Sequence, residues 1–142
     1  MSVAPIFPVW LESDVLEPKA IVVGIRAGEE AKAYALEDLI ASPVIHDTVG
    51  GQRLVVITHP KFTGSRAYEI DGTRLVGRPK LNGAEMTIQD TEGGVWMVTE
   101  EALVSKADAS KSFARLPAFN ALWFGWFPNN PNTTLFDLDT AA

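Results

Sequence analysis

The chain has 142 residues, 46% apolar and 21% charged, which suits one globular domain with a single core. Its formal net charge is −6, so it lacks the positive surface that would release counterions from DNA or RNA, and no nucleic-acid partner is expected. It has no cysteine, which removes disulfides, thiolate metal sites, covalent haem attachment and cysteine nucleophiles. No apolar run approaches the roughly 20 residues needed to span a bilayer, so no transmembrane segment is read.

Residues 1–17 carry Pro5 and Pro8 among scattered apolar side chains. They read as an extended arm packed on the body, with Trp10 and Leu11 as anchors. No basic stretch followed by an apolar one occurs there, so no signal peptide is read. Residues 18–142 are expected to form a single β-rich domain.

Ala20–Arg26 is a continuous apolar run rich in β-branched residues, the pattern of a buried strand. Glu30–Leu36 alternates and pairs with it as a hairpin across Ala27-Gly28-Glu29. Glu37–Ala41 has room for about one helical turn before Pro43. Val44–Ile45 reads as a short strand, followed by a turn at His46-Asp47-Thr48 and by Gly50-Gly51. Arg53–Thr58 is a second buried strand, and Pro60–Ser65 a loop. Arg66–Ile70 and Thr73–Val76 flank Asp71-Gly72, a two-residue hairpin signal.

Glu85–Gln89 and Val95–Val98 read as partner strands around the turn Asp90–Gly94. Glu100–Ala109 is polar and reads as irregular or briefly helical. Phe113–Leu116 reads as a strand. Pro117–Phe127 has helical spacing and ends at Pro128–Pro131, and Thr133–Asp137 reads as an edge strand. Short strands at close intervals, without a βαβ rhythm, predict a mainly β class: a small barrel or curled antiparallel sheet with one short C-terminal aromatic helix.

Chemistry-bearing residues concentrate in Val44–Ser65, which holds both histidines. His46 and His59, with Asp47, supply the ligand types of a metal site if they converge. The competing reading is that each is a histidine bonded to nearby backbone. The spacing has none of the specificity of H-E-x-x-H. Lys61, Thr63, Gly64 and Ser65 have phosphate-cradle chemistry in the wrong order for a P-loop. Ser65 becomes a nucleophile only if His46 or His59 serves as its base, and no G-x-S-x-G elbow surrounds it. The adjacent acids Glu29-Glu30 and Glu100-Glu101 read as solvated turns. In the segment Ala118–Pro128, Phe119, Trp123, Trp126 and Phe127 share a helical face wider than one core contact needs. Either the helix is buried on two sides, with core packing alone, or one aromatic edge is exposed for a partner.

Several ordered pieces carry a resemblance: G-E-E-A-K-A-Y (28–34), H-D-T-V-G-G (46–51), V-V-I-T (55–58), G-S (64–65), D-T-E-G-G-V-W (90–96), R-L-P-A (115–118) and L-W-F-G-W-F-P-N-N-P-N-T (122–133). Their order and spacing from Ile21 onward resemble the prokaryotic domain-of-unknown-function family 3179. That family reads approximately G-E-A-R-A-Y-P-L, H-x-x-x-N-D-T-x-G-G, V-T-Y-C-P-L-C-G-S, Y-N-S-D-L-x-M-Y-D, T-G-S-x-W, L-P and T-W-x-x-W-x-x-x-x-P-x-T. The resemblance implies an extracytoplasmic or periplasmic setting as a processed form, against the cytoplasmic alternative that the missing signal peptide suggests. It implies no defined activity.

The departures from that pattern are chemical. Pro60 and Thr63 stand where the family has its two cysteines, and neither can replace a thiol pair. Ser42 stands in place of its histidine, His46 of an asparagine, and Ala84 and Gln89 of aspartates, while Tyr34, Gly50, Gly51, Gly64, Trp96, Trp123, Trp126 and Pro131 keep the scaffold. The resemblance therefore implies a divergent member that kept the fold and lost a polar site.

The expected function is a non-catalytic interaction domain or accessory subunit of a larger assembly. It would contact a protein partner, or another copy, through Trp10, Phe124 and Phe127. No cofactor is expected. The alternative is a metal-binding or hydrolytic enzyme using His46, Asp47 and His59, with Ser65 nearby. A small ligand inside the barrel stays open as a third reading.

Overall fold

The computed structural model describes residues 20–27, 29–59, 65–122 and 133–136. Among them run twelve strands and one helix. In chain order these are β1 (Ile21–Ala27), β2 (Glu30–Ala35), α1 (Leu36–Ala41), β3 (Val44–Val49), β4 (Gln52–Thr58), β5 (Ser65–Glu69), β6 (Leu75–Asn82), β7 (Glu85–Asp90), β8 (Val95–Val98), β9 (Ala102–Ser105), β10 (Ser112–Leu116), β11 (Ala118–Leu122) and β12 (Thr134–Leu135). The mainly β class expected from the sequence is what forms.

Eight strands make an antiparallel, nearly closed barrel in the order β3-β4-β5-β10-β9-β8-β7-β6. The other four form a smaller sheet, β11-β1-β2-β12, with β12 as a parallel edge. The central barrel strand β4 explains how the two sheets meet. Its residues Leu54 to Ile57 are all buried, so neither of its faces is wet. Val55 and Ile57 join Tyr68, Ile70, Leu75, Met86, Ile88, Trp96, Val98 and Leu103 inside the barrel. Leu54 and Val56 face the other way and pack with Val23, Ile25, Tyr34, Leu39 and Phe136, mostly from the smaller sheet. A strand buried on both faces reads as an unbroken apolar run, as Leu54–Ile57 does.

Turn chemistry sets the register. Gly50 and Gly51 have φ of 58° and 78°, the two positive values that a type I′ hairpin needs, and they fix Val49 opposite Gln52. Gly83, with φ of 65°, takes the first central position between β6 and β7. In the Asp90 turn, the carboxylate accepts from the Glu92 and Gly94 amides at 2.9 and 2.8 Å and from Trp96 Nε1 at 3.0 Å. The Trp96 bond holds that carboxyl below its ordinary range. The same indole stacks on Phe113 inside the barrel.

Four expectations are corrected. The helix expected over 117–127 is not helical where the structure describes it: Ala118–Leu122 is β11, hydrogen-bonded to β1 from Ile21↔Leu122 to Ile25↔Ala118. Pairing with an already formed strand overrides a helical spacing that short. His46, Asp47 and Thr48 lie within β3 rather than in a turn. Glu100–Ala109 contains strand β9. Asp71-Gly72 does not join a hairpin, because β5 pairs with β4 and β10 whereas β6 pairs with β7. Trp10, Phe124 and Phe127, with the N-terminal arm, lie outside the described residues.

Candidate functional site

The barrel closes between β3 and β6, and a histidine makes the closure. Strand alternation turns His46 toward the barrel interior with its register partner Val55, and turns Asp47 to the opposite face with Leu54. His46 Nε2 accepts the Leu75 amide of β6 at 3.0 Å. The imidazole is therefore neutral, with its proton on Nδ1. Burial lowers its pKa from the usual 6.5, and the charge of Arg74 lowers it further. The Leu75 carbonyl, 3.4 Å from the same nitrogen, pulls the other way and is outweighed.

That direction gives a pH dependence. The unfolded chain takes up a proton at His46 more readily than the fold does, so stability should hold above about pH 6.5 and fall as the pH drops through the folded value. Urea midpoints measured from pH 8 to pH 5 should show that decline in the parent chain. They should be flat over that window in His46→Gln, whose amide oxygen can accept from Leu75 without titrating. A parent chain as flat as the variant would dismiss the histidine as the closure.

On the other face of β3, Asp47 is the centre of a compact network. Lys32 and Tyr34 alternate on one face of β2 and both reach it. Lys32 Nζ lies 2.7 Å from Oδ2, and Tyr34 Oη donates to the same oxygen at 2.8 Å. The Thr48 amide donates to Oδ1 at 2.8 Å. Lys32 Nζ also sits 5.9 Å from the Tyr34 ring centroid and 5.5 Å from that of Phe136, and the two rings stack. Burial, reinforced by the Asp47 charge, drives the Tyr34 pKa far above its usual value, so the phenol stays a donor.

Beside the seam opens a cleft of about 260 Å³, with His46, Thr48, Arg53, Asp71, Thr73 and Arg74 on its walls. The 70–74 connection forms one wall as it carries the chain from β5 to β6. Asp71 caps that turn by accepting the Thr73 amide at 2.8 Å; the Thr73 side chain first, then that amide, with the Arg53 charge, hold its carboxyl low.

The residues read as catalytic or metal-binding do not meet. Ser65 pairs with Thr58 across β4 and β5, their hydroxyl oxygens are 2.6 Å apart, and both are buried. Alternation puts that pair on the sheet face opposite His46, so His46 cannot serve Ser65 as a base. His59 lies four residues beyond Val55 along β4, which places it roughly 13 Å further along the strand than His46. His46 and Asp47 point to opposite faces. Among the described residues no group of three or more His, Asp or Glu side chains is placed to hold a metal ion.

Sequence reading passed over Lys32, Phe136, Arg53 and Arg74. The usable signal was K-x-Y on one face of a strand, since two polar side chains at i and i+2 need a common acceptor if that face is buried. The two arginines had no local signal, because 21 residues separate them.

A family model described as a protein of unknown function, DUF3179, matches residues 1–133 and so extends the likeness upstream of Ile21. No curated protein and no solved structure matches the chain.

Proposed function

The chain belongs to the DUF3179 family, which has no assigned activity, and we propose that it acts as a non-catalytic binding domain, an accessory subunit that contacts a protein partner through an aromatic surface. The observation that carries this reading is how the reactive-type side chains are used. The His46 ring bonds the Leu75 amide, the Ser65 hydroxyl the Thr58 hydroxyl, and the Asp47 carboxylate Lys32, Tyr34 and a backbone amide. Each makes a structural bond, and no pair of them is joined as a nucleophile and its base. The interior of the barrel is filled by side chains.

The apolar surface is distributed differently. Phe119 on β11 is 49% exposed, and Ile21 and Leu122, opposite one another at the end of the same sheet, are 46% and 41% exposed. Strand β11 is an outer edge and runs directly into the aromatic segment that holds Phe124 and Phe127. Phe119 lies on the opposite face of β11 from Leu122 and Ile21, so the edge presents exposed apolar side chains on both faces, a composition that suits a contact surface. The family resemblance favours an extracytoplasmic setting for the assembly.

Light scattering after size exclusion tests the reading. Without its partner, the chain should self-associate through this surface in a concentration-dependent way. Phe119→Glu, Phe124→Glu and Phe127→Glu should each weaken that association by at least about tenfold, as loss of an aromatic anchor does. If all three variants keep the association behaviour of the parent, the surface is not a contact site and the reading fails.

A further inference from the structure

The cleft beside the barrel seam is rimmed by two arginines, and the charge of one of them, Arg53, acts on Asp71 in the same cleft. Among the described residues neither Arg53 nor Arg74 makes an ion pair or a side-chain hydrogen bond. The register assembles their neighbours. Thr48 stands directly opposite Arg53 on adjacent strands, so the two side chains share a face. His46 lies two residues before Thr48 on that face. Its Nε2 grips the amide of Leu75, which brings the preceding residue, Arg74, to the same cleft. Because Nε2 is the acceptor, Nδ1–H remains as a donor.

The carboxylates nearby offset only part of this charge. Asp47 belongs to Lys32 and Tyr34 on the far face of β3. Asp71 is the other carboxylate on the walls and is engaged by Thr73. With Asp47 neutralised by Lys32, two guanidinium groups face the single charge of Asp71, which leaves one positive charge in excess at the cleft in a chain whose formal net charge is −6. The volume of about 260 Å³ exceeds what a lone water needs and suits a small organic anion.

We propose that this cleft binds the oxyanion group of a small ligand, a phosphate or a carboxylate, between Arg53 and Arg74, with the Thr48 hydroxyl and His46 Nδ1–H as further donors. Planar guanidinium forks favour such groups, because each can supply two parallel N–H bonds to a pair of oxygens. The proposal is independent of the aromatic surface, since the cleft lies on the barrel seam and β11 on the other sheet.

Calorimetric titration at fixed ionic strength, with inorganic phosphate and succinate as separate probes, decides it. At least one probe should bind saturably with one site per chain, and which one binds tells a phosphate ligand from a carboxylate ligand. Arg53→Gln and Arg74→Gln should each weaken that binding by at least about tenfold, as loss of a charge-assisted fork does. Lys106→Gln, whose lysine pairs with Glu85 away from the cleft, should leave it unchanged. Both arginines are exposed, so the variants should keep the parent far-UV spectrum. Failure of both probes to saturate, or parent-like affinity in both arginine variants, overturns the proposal.

Discussion

Asp47→Ala should lower stability by about 2–3 kcal/mol, read as a fall in the urea midpoint at pH 7 with an unchanged slope. The size follows from what remains behind. The Lys32 and Asp47 side chains are each only 19% exposed, so the truncated site keeps an ammonium and a phenol with little water to replace the lost oxygens. Removing the groups in smaller steps should cost less. Tyr34→Phe leaves Asp47 with Lys32 and the Thr48 amide, and should lose about 1 kcal/mol. Lys32→Met keeps the stem over the two rings and removes the charge. The double variant Lys32→Met, Asp47→Asn should therefore lose less than the sum of its parts, with a coupling of about 0.5–3 kcal/mol. A solvated surface aspartate would instead cost under about 0.5 kcal/mol on truncation, and that result would remove the network from any account of how the two sheets are held.

The network also shows where local reading reaches its end. Leu54–Ile57 was recognisable as buried because burial on both faces leaves a continuous apolar run. Gly50-Gly51 was recognisable because positive φ at two successive positions is a glycine property. The β7–β8 pair was legible for a similar reason, since Asp90 holds the turn through residues close in sequence, Glu92, Gly94 and Trp96. The misread pieces depend on partners distant in sequence. Asp71-Gly72 does turn the chain, through the Asp71–Thr73 bond, but its flanking strands, β5 and β6, are not neighbours in the barrel order. A local signal can specify a turn without specifying which strands it connects. β9 was hidden because its four residues sit inside the polar stretch 100–109, and Leu103 is its one buried side chain.

The site followed the same division. His46 and Asp47 were singled out by residue type, yet their roles follow from strand parity. Placed in a turn, they would share one surface. Placed on β3, they diverge, one closing the barrel and the other bridging to β2. The same parity separates His46 from Ser65 and brings Thr48 to Arg53. One residue of slip in β3 would exchange all of these relations, because the side-chain period is two. Whatever pins the β3 register therefore determines the chemistry of the whole region.

Gly50→Ala tests that pin and should cost about 2–4 kcal/mol. Two causes add. The residue sits at φ of 58°, where an L side chain crowds its own carbonyl. In addition, a Cβ at this position would collide with the Ala27 carbonyl oxygen, a backbone atom that cannot rotate away. Gly51→Ala is the matched control: its φ is 78°, but its Cβ would meet nothing within 4 Å, so it should lose only about 1–2 kcal/mol, from conformation alone. The difference between the two variants isolates the contact between the β3–β4 turn and the end of β1. Equal losses would show that the Ala27 carbonyl yields freely. An excess at Gly50 shows that the two sheets are locked at this point. There the larger loss should be accompanied by a shifted His46 titration and a weaker Lys32–Asp47 coupling, because a displaced turn moves β3 against both β2 and β6.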